Sequence, residues 1–482
     1  MKYYPIEKID NFTRQIVDLM PPLEEFFANE DTIEPYSKNL HNPQTQQVYL
    51  ERQKVFLELI QTKLHRIFNA TERKKIKILE DSSKGLEAGV MDHHGILNDP
   101  ILFGTNIVIN YYRMFDREKN GDMLTFGTGN VPLNDPFHRR GFMIEDKRVI
   151  LYKKEEKNNL VFQSPVRKID YIESLKKNHF WHLYSQVAQK CLLETQDMIS
   201  NIDFSGCEIL GDQIVKINFY LWPLFFEQKI RSNVSNLISL EYDDLVIDYL
   251  IFVLENTADS FISRMLLDIK FRDRALEHFE GATGAWNKKT GKGSHFFWAI
   301  QNNQQVRLTL ADDILKSADG AVKLEWNKQA LIEALKRRQI LPCMLLKFSL
   351  IIFYMGLWPF TGYGSTNYIT VMQRQLSDFL ETDFPEEVDR IRKMKVNNMT
   401  SIPVVLRKKE NLIENYFAFD VIKDGGLPMD YLDKINKVPL KYFLAPRLDQ
   451  LYEYAFNLYG KGAKSNIKIT SDDCQPLFKK VF

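Results

Sequence analysis

The sequence predicts a mixed, helix-rich α/β fold with a parallel or mixed central sheet between helical N-terminal and C-terminal regions. Three observations predict it. Two short apolar runs, Val90-Met91 and Met123 to Phe126, are separated by a segment of helix length. Each run ends in a polar loop dense in chemistry-bearing residues. Long stretches on both sides carry apolar residues at helical spacing.

Taken in order, residues 1–75 read as helical. Val48, Val55, Phe56, Leu59, Ile60, Leu64, Ile67 and Phe68 recur at helical spacing, which predicts one long helix from Thr45 to Phe68 after Pro43. Lys74 to Leu79 leads into the sheet as a strand. Val90 and Met91 form the next strand, which stops at Gly95, a residue that permits an abrupt bend. Asn98-Asp99-Pro100 is a helix start: the aspartate can cap free N–H groups and proline suits the first turn. Ile101 to Met114 is apolar on nearly every side, the mark of a buried helix. Asn120-Gly121-Asp122 turns the chain into the strand at Met123. A connection of this length suits a crossover between parallel strands, and ligands in such sheets sit beyond the carboxyl ends.

Arg148 to Tyr152 reads as a further strand and Lys153 to Asn159 as a solvated turn. Residues 160–280 are helix-rich. Within them His179 and His182 read as packing or surface groups, and Ile217 to Phe226 as irregular core because of Pro223. Glu241 to Ile269 carries apolar helical spacing, with Glu255 read as a paired or edge carboxylate. Gly281 to His295 holds three lysines and four glycines. A strand from Phe296 to Ile300, a turn at Gln301 to Gln304 and a returning strand from Val306 to Leu310 follow. From Asn327 the chain is mainly helical. It includes a buried helix at Leu341 to Phe360 and a glycine loop, Thr361 to Ser365, before a helix carrying Arg374. Short strands and helices alternate over the last hundred residues. The implied organisation is a helical region over 1–75, an α/β core over 76–325 and a helix-rich region over 326–482.

Composition excludes several classes. With 64 basic and 63 acidic residues the net charge is +1, which argues against nucleic-acid binding by bulk electrostatics. Aromatic residues fall in core patterns rather than among basic stripes. Four cysteines lie at no metal or redox spacing, the N-terminus lacks a signal-peptide core, and Leu341 to Phe360 is interrupted by Lys347, Pro342, Gly356 and Pro359. The expectation is a soluble, cytoplasmic protein without membrane or nucleic-acid partners, with homo-oligomerisation open.

The chemistry concentrates in two loops. Asp92-His93-His94 sets a carboxylate beside two imidazoles, which suits either a divalent metal ion or acid/base work by one histidine oriented by Asp92. This tripeptide resembles the one that names the DHH phosphoesterases, but residues 1–91 contain no aspartate-x-aspartate motif, and the family is not assigned. Gly127-Thr128-Gly129-Asn130 is a turn whose N–H groups can receive an anion. Asn134, His138, Arg139 and Arg140 follow, and arginine's planar fork suits carboxylate and phosphate. The Lys288-to-His295 loop fails the P-loop pattern, since Trp286 stands where a glycine is needed and Gly293 follows Lys292. It reads either as a basic lid over an anion or as an exposed hairpin tip.

The expected site therefore has Asp92, His93, His94 and His138 in catalysis, the first three also as metal ligands. Asn98, Thr128, Asn130, Asn134, Arg139, Arg140, Lys292 and His295 would hold a small anionic molecule. The activity expected is that of a hydrolase, transferase or ligase. The alternatives are a non-catalytic binding or scaffold protein and a nucleotide-using ligase or transferase without a recognisable motif.

Overall fold

The computed structural model describes residues 4–41, 46–77, 85–115, 121–410, 412–462, 464–465 and 467–482. Four parallel strands form its centre: β1 at Glu87–His93, β2 at Met123–Thr128, β5 at Leu237–Glu241 and β11 at Trp358–Phe360. Their order across the sheet is β11-β1-β2-β5. The expected α/β class holds, with β1 and β2 as neighbours joined through a buried helix. That helix runs Pro100–Asn110, shorter than the stretch read to Met114, and Asp99 caps it by accepting from Ile101 N at 2.8 Å.

Helices cover both faces of the sheet. Leu102, Phe103, Ile107 and Val108 of the Pro100–Asn110 helix join one apolar core, which also takes in the N-terminal helix Tyr4–Leu19 and residues beyond 399. The other core gathers Val90, Phe126, Ile238 and Leu240 with the helices Gln47–Ile67, Asp243–Asn256 and Tyr363–Leu380. The long helix expected at Thr45 to Phe68 is thus found at Gln47–Ile67, within two residues of its expected ends.

The chain passes from β1 to β2 and β5 on one side, then returns to β11 on the other side of β1. The helix after β1 packs on one face and the helix after β11 on the other. The connections therefore diverge between β1 and β11, the kind of point at whose carboxyl edge open α/β sheets bind ligands.

Three expectations are corrected and one strand was missed. Lys74 to Lys77 is turn and coil, and Ile78-Leu79 lies outside the described residues. Leu341 to Phe360 is buried but is not one helix. Its residues form the end of β10 (Ile340–Pro342), the helix Met344–Phe348, a wide turn to Tyr354 and then β11, because Gly356 takes a left-handed backbone (φ 83°) and proline stands in both strands. Ile217 to Phe226 continues the helix Leu210–Leu221, and Pro223 sits harmlessly in the first turn of a 3-10 helix. The strand β5, fully buried, was not foreseen; its signal is the short run Leu237-Ile238-Ser239-Leu240.

A second sheet joins β10 to four further strands. The expected hairpin is β6 (Phe297–Gln301) with β7 (Gln304–Ala311), and β8 (Ile314–Ser317) and β9 (Lys323–Glu325) follow in the order β10-β6-β7-β8-β9. Two-stranded hairpins β3–β4 (Gly141–Ile144, Lys147–Ile150) and β12–β13 (Leu406–Lys409, Leu412–Asn415) complete the strands. No helix among the described residues is long and apolar enough to cross a membrane.

Candidate active site

The carboxyl end of β1 carries Asp92, His93 and His94, and their side chains diverge. A register shift between Gly89 and Asp92 turns Asp92 toward the Pro100–Asn110 helix, where Asn106 Nδ2 donates to it at 3.4 Å. Asp92 is wholly buried, and burial raises its carboxyl to about 7. His94 turns the opposite way and is also buried; its Nε2 lies 2.9 Å from Gly211 O, and burial lowers the imidazole to about 4. His93 alone reaches toward solvent, with its side chain 32% exposed. The three do not form one ligand set, and no three His, Cys, Asp or Glu side chains among the described residues are arranged to hold a metal ion. The metal reading of the tripeptide is corrected on this divergence.

His93 has a partner that the sequence did not reveal. Its Nδ1 stands 3.2 Å from Oδ1 of Asp135, a carboxylate only 3% exposed. Burial would raise Asp135, but the His93 hydrogen bond and the charges of His138 and His93 outweigh it and hold the carboxyl below its usual range. An Nδ1–H donated to a carboxylate fixes the tautomer and leaves Nε2 with its lone pair outward, the arrangement of a general base. Asp135 is itself anchored by Phe137 N at 2.8 Å, and the Phe137 ring meets His93 edge-on at 4.9 Å. The turn Asn134-Asp135-Pro136 is the only hint of this in the sequence, and it reads as a loop. His138 supports the pair from below: its Nε2 lies 2.7 Å from His93 O, and its ring rests on Gly95, where a Cβ would fall 2.4 Å away.

No protein-family model matches the chain, and no curated protein matches it either. The chemistry must therefore be read from the residues themselves.

The glycine turn after β2 does receive an anion, and the anion is the protein's own. Asp243 Oδ2 accepts from Gly129 N at 2.7 Å, Asn130 N at 2.9 Å and Thr128 Oγ1 at 2.9 Å. Lys347 pairs with the other carboxylate oxygen and donates to Thr128 Oγ1 at 3.1 Å. The Gly129 and Asn130 N–H groups and the Thr128 hydroxyl are thus occupied, which corrects their reading as a substrate cradle. Asn98 is buried, and its amide bonds Met143 O and N at 3.2 and 2.9 Å, so it braces the loop rather than facing a ligand.

Asn134 and Arg139 are exposed, and Arg140 is half-buried with Nη1 on Tyr152 O at 3.1 Å. Both arginines adopt left-handed backbones (φ 45° and 64°), which swings the chain from the His138 loop into β3. Arg148 on β4 joins them. Partial burial, then Arg139 and Arg140, lower its guanidinium from the usual value. None of the three pairs with a carboxylate among the described residues. Arg148 is not apparent in the sequence because a strand pairing, not spacing, brings it here.

Lys292 and His295 belong to the glycine-rich loop before β6, which is tied down rather than loose. Asn287 N donates to Lys292 O at 2.8 Å, Lys288 N to Glu280 Oε1 at 2.7 Å and Leu310 N to His295 Nδ1 at 2.8 Å. The Trp286 and His295 rings meet edge-on at 5.6 Å. His295 thus spends its Nδ1 within the second sheet. Glu255 is exposed and paired with Lys336 at 2.9 Å, in line with the sequence reading.

Proposed function

We propose that the chain is an enzyme acting on a small phosphate- or carboxylate-bearing molecule by proton transfer, with His93 as acid/base and Asp135 as the carboxylate that orients it. The observation that carries this reading is the contact of 3.2 Å between His93, a partly exposed imidazole at the carboxyl end of β1, and the buried carboxylate of Asp135. Arg139, Arg140 and Arg148 supply positive charge that no carboxylate among the described residues neutralises, and they set the sign of the ligand. His138 takes its place by holding the His93 backbone. Asp92 and His94, buried with their polar atoms directed inward, shape the loop and do not touch the ligand.

Wild-type protein and a His93→Ala variant, incubated with a mixture of phosphorylated and carboxylated metabolites and followed by mass spectrometry, test this. The wild type consumes at least one anionic component. The variant, with an unchanged melting temperature, does so about 100-fold or more slowly, the usual scale of acid/base catalysis. Undiminished turnover by the variant ends the proposal. A wild type that turns over nothing and is stabilised by no component of the mixture favours the scaffold alternative instead.

A further inference from the structure

The last turn of the helix Tyr171–Lys177 and the first turn of the helix Gln186–Ser200 are joined at a corner that turns apolar residues outward. Phe180 is 54% exposed, Leu183 48% and Val187 57%. Leu183 N donates to Phe180 O at 3.1 Å across the 3-10 turn Trp181–Leu183, and residues three apart in such a turn stand on one side. Gln189 Nε2 donates to Trp181 O at 3.1 Å and to Tyr184 O at 3.0 Å, which ties the helix bearing Val187 to the same turn. A left-handed backbone at His179 (φ 56°) swings the chain abruptly out of the first helix.

The charge around this corner has one sign. Between Glu173 and Glu194 the chain carries three lysines, two histidines and no carboxylate. Lys176, Lys177, His179, His182 and Lys190 are all exposed. Lys176 Nζ stands 5.7 Å from the centre of the Trp181 ring. Lys190 meets Glu194 at 3.8 Å with both ends in solvent, a contact of little strength. From the β3–β4 hairpin, Lys147 reaches over the Tyr184 ring at 5.6 Å. The same hairpin brings the carboxylate of Glu145, but that group is engaged: Ser185 N donates to it at 3.0 Å, and Lys423 and Lys147 pair with it at 3.6 and 3.9 Å.

We propose that this corner docks on a bilayer surface rich in anionic lipids, with Phe180, Leu183 and Val187 entering the headgroup layer and the surrounding lysines held by lipid charge. Shallow burial of a few apolar side chains and diffuse attraction to anionic headgroups are all that such a contact requires. A protein partner requires more. A stable protein interface covers about 800 Å² on each side and makes directional hydrogen bonds, and three apolar side chains with flexible lysines on one corner supply neither. The expectation of a chain without membrane partners rested on the lack of a spanning segment, which a surface contact does not need.

Sedimentation of the full chain with vesicles of phosphatidylcholine alone, and of phosphatidylcholine mixed with phosphatidylserine, tests this at about 0.1 M salt. The chain should bind the anionic vesicles and not the neutral ones. A Lys176→Ala, Lys177→Ala double variant should bind about 30-fold more weakly, roughly fivefold for each lysine. A Phe180→Ser, Leu183→Ser double variant should lose about tenfold or more. The Lys328→Ala, Lys336→Ala control removes two exposed lysines from another helix and should bind as the wild type does. Equal binding to both kinds of vesicle, binding to neither, or binding that the corner variants leave unchanged overturns the proposal. So does capture of the chain by polyglutamate as tightly as by the anionic vesicles, without dependence on Phe180 and Leu183, which would assign the corner to an acidic protein instead.

Discussion

Asp92 and His94 stand two residues apart, and the same force moves them in opposite directions. Burial disfavours charge, which raises the Asp92 carboxyl to about 7 and lowers the His94 imidazole to about 4. The folded state therefore holds a proton on Asp92 that the unfolded chain releases, and Asp92 contributes stability at acid pH that is lost as pH rises through 7. His94 works the other way: its contribution is present above the unfolded imidazole value and is lost as pH falls through 4. The Asp92→Asn variant keeps the Asn106 contact but carries no charge. Its stability relative to wild type should improve by on the order of 1 kcal/mol for each pH step between about pH 4 and about pH 7, measured by denaturant unfolding. A flat difference would mean that Asp92 is solvated. At this scale the sequence made His93 visible, since a carboxylate and two imidazoles stand side by side at the end of a short apolar run. It hid Asp135 and Arg148, because a turn aspartate and a strand arginine look ordinary until the fold sets them beside a loop.

The elements owe their junctions to buried charge. The start of the Asp243–Asn256 helix is tied to the turn after β2 by a carboxylate that takes two backbone N–H groups, a hydroxyl and the ammonium of Lys347. Both charged side chains are almost fully buried. Asp243→Ala leaves the lysine unpaired, and the expected loss is about 3–5 kcal/mol in denaturant unfolding. Lys347→Met on its own should cost a similar amount. An Asp243→Asn, Lys347→Met double variant should lose less than the sum of the two single changes, because no charge is left stranded. Simple additivity would show that the pair does not interact. The glycine turn was legible as an anion receiver from Gly127-Thr128-Gly129-Asn130. That its anion would come from a residue more than a hundred positions away was not, because no local pattern records which side chain arrives.

Across the whole molecule, two apolar layers enclose the parallel sheet and draw on distant parts of the chain. The N-terminal helix packs against the C-terminal region. Phe12 of that helix is 1% exposed and its ring lies 5.1 Å from Tyr452, while Lys8 and Asp473 pair at 2.6 Å nearer the surface. Burial should dominate this closure. Phe12→Ala is expected to cost about 3–5 kcal/mol and Lys8→Ala at most about 1, in the same unfolding assay. Equal losses would reverse that ranking.

What the sequence determined by itself was periodicity: the long Gln47–Ile67 helix, the capped helix after β1, the β6–β7 hairpin and the α/β class follow from spacing and from local capping chemistry, which act within a few residues. Only the tertiary structure decided which polar groups meet. The pairing of His93 with Asp135, the capture of the glycine turn by Asp243 and the place of β11 beside β1 all depend on segments far apart in the chain, and side-chain type at one position carries no information about the partner that folding will deliver.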